Sequence, residues 1–361
     1  MTQLPVGTTS PPDQGRGAAA DPRLPLVTIV TPTYDRANFL PETIDSILGQ
    51  DYPHLEYVVL DNGSTDNTQE ILRRYGDAIR WEHHRENIGI SRAINRGFEL
   101  ARGEIVGFVS SDDPLLPGAI SALVEVFQSA PEVLVVYPDW DLIDGDGRHV
   151  QHIDAFDYAY VDMVRYHHTY PGPGALFRRS VLDRIGGLDE SYRIVSDYDF
   201  WLRAGLLGPF RRCPRTLARY RLHGTAATHA ERGVEMAREH VRVIDKLYER
   251  ADLPPEVLAV RTEAYRNAYY VAAMILRLEV PADERFALTD YFFTPRSASQ
   301  PAGPGVRPAG AQPSSRAQPV RAHPVIWLYD RVAAGPLRRA VQLVPPAWRT
   351  VVRRWLLQRA R

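Results

Sequence analysis

Two adjacent carboxylates at the end of an apolar run are the residues here whose types and spacing most plainly suggest chemistry. Within Glu104–Pro114, Ile105, Val106, Phe108 and Val109 make a near-continuous hydrophobic segment that ends abruptly in Ser110-Ser111-Asp112-Asp113-Pro114. Such a run reads as a strand buried on both faces. Acids at its end are costly unless something positive meets them. A hard divalent cation, Mg2+ or Mn2+, carrying a substrate's phosphates suits oxygen ligands of this kind. The same residues also suit a plain turn that caps a helix starting near Pro117. The motif alone does not separate the two readings.

The elements that must position this pair follow from the hydrophobic pattern. Leu24–Thr31 reads as an apolar, β-branched strand broken by Pro32, and Asn38 as the cap of a helix reaching about Gln50. Leu55–Leu60 is a second strand ending in Asp61-Asn62-Gly63-Ser64-Thr65-Asp66. A helix through Leu72, a short strand around Ile79–Glu82 and a helix within Asn87–Leu100 lead to the strand at Ile105. Strands alternating with helices at this spacing predict βαβ units and a largely parallel sheet. Right-handed crossovers put every strand's C-terminal end on one rim, where open α/β sheets bind ligands. That rim collects Thr33-Tyr34-Asp35, Asp61-Asn62 and Asp112-Asp113.

Beyond Pro114 the pattern gives a helix near Gly118–Phe127, a strand at Val133–Tyr137 and a hairpin at Trp140–Val150 turning at Asp144–Gly147. A helix at Arg179–Ile185 precedes Ser196–Leu206, whose first turn holds Asp197 and Asp199. Acids there also suit the helix dipole, so capping is an equally available role. Arg219–His223 reads as a short strand. From about Thr228 the alternation stops, and helical patterns cover Glu231–Arg250 and Pro255–Leu278.

Composition narrows the class. With 361 residues and a formal net charge of −1, the chain is long enough for a large core and is not built mainly for nucleic acid. Cys213 is the only cysteine, which excludes an internal disulfide or a cysteine-based zinc cluster and fits a reducing cytoplasm. Residues 1–23 read as a disordered leader without the apolar core of a secretory signal. Residues 293–323 read as a Pro/Ala/Ser-rich linker. In the tail, 324–361, Trp348, Val351, Val352, Trp355 and Leu356 share one helical face, while Arg349, Arg353, Arg354 and Arg361 lie elsewhere. A basic amphipathic helix of this kind suits an anionic membrane surface, or packing on protein.

In this order, VTIVTPTYDR, VVLDNGSTDNT, ENIGISRAINRGFELARGEIVGFVSSDDP, PGPGALFRRSVLDRIGGLDESY and SDYDFWLR resemble the family 2 glycosyltransferases of GT-A fold. The likeness runs from about Leu26 to His223. It implies a Rossmann-like α/β domain over 24–227 with a mostly parallel central sheet flanked by helices, followed by a helical extension at 228–292. It also implies a nucleoside-diphosphate sugar donor, a divalent metal and inversion at the anomeric carbon.

By this resemblance Pro32, Thr33, Tyr34 and Asp35 form a base-binding loop, joined by Asp61 and Asn62. The family usually has Asp-Asp at the latter pair; the Asn62 amide oxygen can still accept the N3–H of uracil or thymine, which favours a UDP- or dTDP-sugar. Asn87 and Arg92 wall the nucleotide pocket, and Arg92 suits phosphate or a solvated helix face. Asp112 faces ribose or sugar, and Asp113 binds Mn2+ or Mg2+ with His223 approaching the metal or diphosphate. Asp197 matches the catalytic base, although its usual acidic neighbour is Ser196 here. Asp199 and Trp201 are then supporting residues that orient the base helix and floor the acceptor pocket, and Gly174 lies in the loop that holds the acceptor.

The expected reaction is inverting, metal-dependent transfer of a sugar to an acceptor hydroxyl on a glycan, glycolipid or small molecule. Cell-surface polysaccharide or glycolipid synthesis is favoured by the basic tail. The expected location is cytoplasmic, peripheral on the inner membrane face. A non-catalytic sugar-nucleotide-binding or membrane-surface scaffold is the alternative. A dinucleotide oxidoreductase is disfavoured because TPTYD, not a glycine-rich turn, follows the first strand.

Overall fold

The computed structural model describes residues 24–224 and 233–279; the leader, the linker and the basic tail lie outside them. The first half is built from β1 (Val27–Thr33), α1 (Leu40–Leu48), β2 (Leu55–Asp61), α2 (Thr68–Arg74), β3 (Arg80–His83), α3 (Ile90–Leu100) and β4 (Ile105–Phe108). Next come α4 (Ala119–Ser129), β5 (Val135–Ile143), β6 (His149–Ile153), α5 (Tyr160–Arg165), β7 (Leu176–Arg178), α6 (Arg179–Ile185), α7 (Ser196–Gly205) and β8 (Phe210–Arg221). Three helices close the described chain: α8 (Val234–Tyr248), α9 (Pro255–Ala259) and α10 (Arg261–Glu279).

The sheet order is β3-β2-β1-β4-β7-β5-β6, with β8 also paired to β5. β1 lies between β2 and β4, parallel to both, so the chain winds outward from β1 and returns on its other side at β4. This reversal is the topological switch point, where a crevice opens beyond the strand ends. The mostly parallel α/β sheet expected from the sequence is present, with β7 inserted antiparallel between β4 and β5.

Pro32 does not break β1. Thr33 O accepts Asn62 N–H on the β2 side, whereas Val30 O accepts Val109 N–H on the β4 side. By alternation Pro32 faces the β4 side beyond the last paired residue, so its missing N–H forfeits no ladder bond. Asn38 is not the cap of α1; a turn on Arg36 O leads in, and the N-cap residue is Phe39. β8 is far longer than the predicted Arg219–His223. Arginines and Pro214 hide it in the sequence, because only part of this outer strand is buried. The helical stretch after Pro255 is two helices with a bend at Val260, where the Tyr248 hydroxyl donates to Val257 O at 2.9 Å.

Candidate active site

Three loops beyond the strand ends are stitched into one wall. Asp35, held at φ 49°, accepts Thr65 N–H through Oδ1 at 2.7 Å, and its own N–H donates to Ser64 Oγ at 2.9 Å. Ala37 N–H donates to Asp66 Oδ2 at 3.0 Å. Asp61 is fully buried: Oδ1 accepts Ser64 N–H at 3.0 Å, and Oδ2 lies 2.8 Å from His83 Nδ1. Gly63, at φ +85°, closes this turn where a Cβ would lie 2.6 Å from the Glu86 carbonyl carbon. Only glycine permits that approach.

Through it the β3–α3 loop reaches Asn62, whose Oδ1 accepts Ile88 N–H at 2.9 Å and whose Nδ2 donates to Asn87 Oδ1 at 3.0 Å. The Asn62 oxygen expected to read a base is thus engaged by the loop. Asp35 and Asp61 likewise hold loops together. Pro32 and Thr33 are buried in β1, and Tyr34 is the exposed member of its loop at 41%. Asn87 is exposed, and Arg92 pairs with Glu190 at 3.0 Å instead of standing free for phosphate.

The carboxylate pair sits at the switch point, beside the end of β8. Asp113 is buried and its Oδ1 accepts Arg221 N–H at 2.9 Å. Burial, followed by the charge of Asp112, holds the Asp113 acid well above the usual carboxylate range. Asp112 Oδ2 lies 2.8 Å from His223 Nε2 and 3.7 Å from Arg36 Nε. The β8 end therefore brings His223 to Asp112, while Asp113 is bound through the β8 backbone. α1 backs the same loop, with Thr43 Oγ1 donating to Ser111 O at 3.0 Å and Leu115 N–H to Ser46 Oγ at 3.1 Å.

The sequence reading missed Arg221, the buried centre of this arrangement. Its Nε donates to Asp112 O at 3.1 Å, its guanidinium pairs with Glu42, and it lies 5.0 Å from the Phe39 ring centroid. The signal was its place two residues before His223 at a strand end. A buried acid held above its ordinary range is what a nearby cation would relieve, and Asp112 and His223 lie together beside it, but the ligand atoms of Asp112, Asp113 and His223 do not converge on one point in this structure. A second acidic group, Asp139, His152 and Asp154, fits one poorly: Arg212 already lies 2.7 Å from Asp139 and 3.1 Å from Asp154.

Asp197 is the second residue of α7 and is half-buried. Its Oδ1 accepts Tyr198 N–H at 2.7 Å, and burial pushes its carboxyl up to about 6. A carboxylate with that value is suited to take a proton near neutral pH.

The three acceptor-side residues serve different ends. Trp201, 2% exposed, stacks on Phe108 at the end of β4 with centroids 6.3 Å apart, and packs on Phe177, Phe200 and Phe210. It fastens α7 to β4, which is the helix-orienting part of its expected role. Asp199, two residues from Asp197 and so on the opposite side of the helix, bonds Arg203 at 2.8 Å and Lys246 at 2.7 Å. Gly174, at φ +79°, is buried where a Cβ would meet Ala218, Leu115 and Pro138 within 3.4 Å.

The family model described as Glycosyl transferase family 2 matches residues 28–186. An uncharacterized glycosyltransferase of Rickettsia felis is 30% identical over 210 residues, 55% of this chain; the chain spans 34% of that relative's length. TarS 1–349 of S. aureus, solved with UDP-GlcNAc, superposes with a TM-score of 0.60 at 18% identity, covering 74% of this chain and 80% of TarS 1–349. Mannosyltransferase PcManGT of Pyrobaculum calidifontis, solved with GDP-Man and Mn2+, gives 0.52 at 23% identity, covering 77% and 83%. These likenesses establish a GT-A fold. Between the strand pattern, the switch-point crevice and the match itself, residues 28–186 of this chain form a glycosyl transferase family 2 domain.

Proposed function

We propose that the chain is an inverting, metal-dependent glycosyltransferase that moves a sugar from a nucleoside-diphosphate donor to an acceptor hydroxyl. The observation that carries this is a half-buried carboxyl on a helix fastened to β4, the strand whose end bears the Asp112–Asp113 pair. Tyr34, exposed at the end of β1, offers its ring to the base. Asp112, Asp113 and His223 would hold Mn2+ or Mg2+, which when bound neutralises charge on the departing diphosphate.

Asp197 Oδ1 is occupied by Tyr198 N–H, so Oδ2 receives the proton of the attacking hydroxyl. A single base suffices for in-line displacement with inversion. TarS and PcManGT were solved with UDP-GlcNAc and GDP-Man, and donors of that class suit this fold; a UDP- or dTDP-sugar is the first choice. The acceptor proposed is a cell-surface glycan or glycolipid, with residues 324–361 on the anionic inner face of a membrane. No helix among the described residues is long and apolar enough to cross one.

The test is a thermal-shift screen of UDP, dTDP, GDP and ADP with and without Mn2+ or Mg2+. A ligand that binds only the native state raises the melting temperature. Metal-dependent stabilisation by one nucleotide, lost in Asp113→Asn, is the expected result. No shift with any of them would refute the donor site and favour a scaffold. That second reading draws on Asn62, both of whose amide atoms are engaged by the neighbouring loop.

A further inference from the structure

Helix α8 lies outside the matched family segment, yet two consecutive residues on it grip loops around α7. Glu239 is buried at 7% exposure, and its carboxylate gathers three backbone amides. Oε1 accepts Arg193 N–H at 2.8 Å, and Oε2 accepts Ile194 and Val195 N–H at 2.8 and 3.3 Å. These amides form the turn that enters α7, two to four residues before Asp197. Nothing in the turn replaces this carboxylate, since the N-cap residue Val195 makes no side-chain cap bond. The negative charge also faces the positive end of the α7 dipole.

The neighbouring residue acts on the other side. His240 Nδ1 lies 2.8 Å from His167 Nε2, and the His167 ring meets Tyr198 edge-on at 4.7 Å. The loop before α7 is also tied to α3: Ser91 Oγ donates to Tyr192 O at 3.3 Å and Asn95 Nδ2 to Leu188 O at 2.9 Å. It is therefore held from the nucleotide half and from the helical extension at once.

We infer that Glu239 is a positioning residue for Asp197: from α8 it fixes the Arg193–Val195 turn, and so the placement of the base that α7 presents to the acceptor. The inference rests on the reading of Asp197 as the base. The turn needs a carboxylate, because an amide in its place would turn an NH2 group toward one of three converging N–H donors.

The experiment compares the full chain with Glu239→Gln, and with Glu239→Asp should Gln fail to fold. Transfer kinetics are measured across pH, and amide hydrogen exchange is followed over residues 191–199. The expected result is a fall in kcat of about tenfold or more, with donor KM and the nucleotide thermal shift unchanged. Exchange over the turn should speed up, and the acid limb of kcat should move to lower pH, toward the ordinary carboxylate range, as water reaches Asp197. A purely structural loss would lower the active fraction without moving that limb. Wild-type kcat and an unmoved acid limb would overturn the inference, as would a donor KM or thermal shift that worsened in step with kcat. Absence of transfer by the unmodified chain would overturn the base reading instead, and the exchange rates would still report whether Glu239 holds the turn.

Discussion

Replacing Asp197 by Asn should make the protein more stable and nearly inactive, two effects traceable to one half-buried carboxyl. Burial raises that carboxyl from 3.8 to about 6. A shift of one unit is worth about 1.4 kcal/mol, so ionising the half-buried Asp197 at neutral pH costs at most about 3 kcal/mol of folding free energy. The unfolded chain gives up this proton near pH 4 and the folded chain only near pH 6. Asp197 therefore favours folding fully below pH 4, and that advantage is lost as pH rises through the folded-state value.

Asn keeps the shape, retains an oxygen for Tyr198 N–H and has no proton to lose. Relative to wild type, Asp197→Asn should gain up to about 3 kcal/mol at pH 7.5 and no more than about 1 kcal/mol at pH 4.5. For a domain of this size the larger gain is roughly 6–12 °C in Tm. Transfer, followed by release of nucleoside diphosphate, should fall by about 10²–10⁴. Calorimetry at the two pH values is the deciding assay. An equal gain at both, or none at pH 7.5, would refute the raised carboxyl, and activity within a few-fold of wild type would refute the base.

Trp201→Ala should cost about 3–5 kcal/mol by urea unfolding, since it empties the contact between α7 and Phe108. A loss below about 1 kcal/mol would place the ring outside the core. Gly63→Ala meets both a positive φ and backbone 2.6 Å away; a cost of roughly 1–3 kcal/mol and a weakened nucleotide thermal shift are expected. An unchanged nucleotide shift would detach this turn from the donor site. Arg221→Met removes the partner of Glu42 and the donor to Asp112 O. It should cost roughly 2–4 kcal/mol in urea, and unchanged stability would mean that the buried guanidinium contributes nothing net.

Much of this protein was legible along the chain because the signals were local. The β-branched runs and the helices between them specify a parallel sheet, and sheet topology puts Tyr34, Asn62 and Asp113 at one rim whatever else the chain does. Asp112 and Asp113 stood out because acids rarely end a buried strand without a reason. Asp197 stood out by resemblance, and its partial burial was not visible in the segment itself.

Partner choice was decided only in three dimensions. Resemblance placed Trp201 and Gly174 at the acceptor side, but aromatic and glycine residues serve pockets and cores alike, and only packing separates those uses. Asp199 and Asp197 look equivalent two positions apart, but the turn of the helix sends one to Arg203 and Lys246 and leaves the other with a backbone N–H. Arg221 reaches a carbonyl 109 residues earlier in the chain, and Glu239 an amide 46 residues earlier. Sequence by itself determined which elements form and which ends share a rim, since both follow from periodicity and chain handedness. Tertiary structure alone decided which polar group meets which, because burial and hydrogen bonding depend on residues brought close from distant parts of the chain.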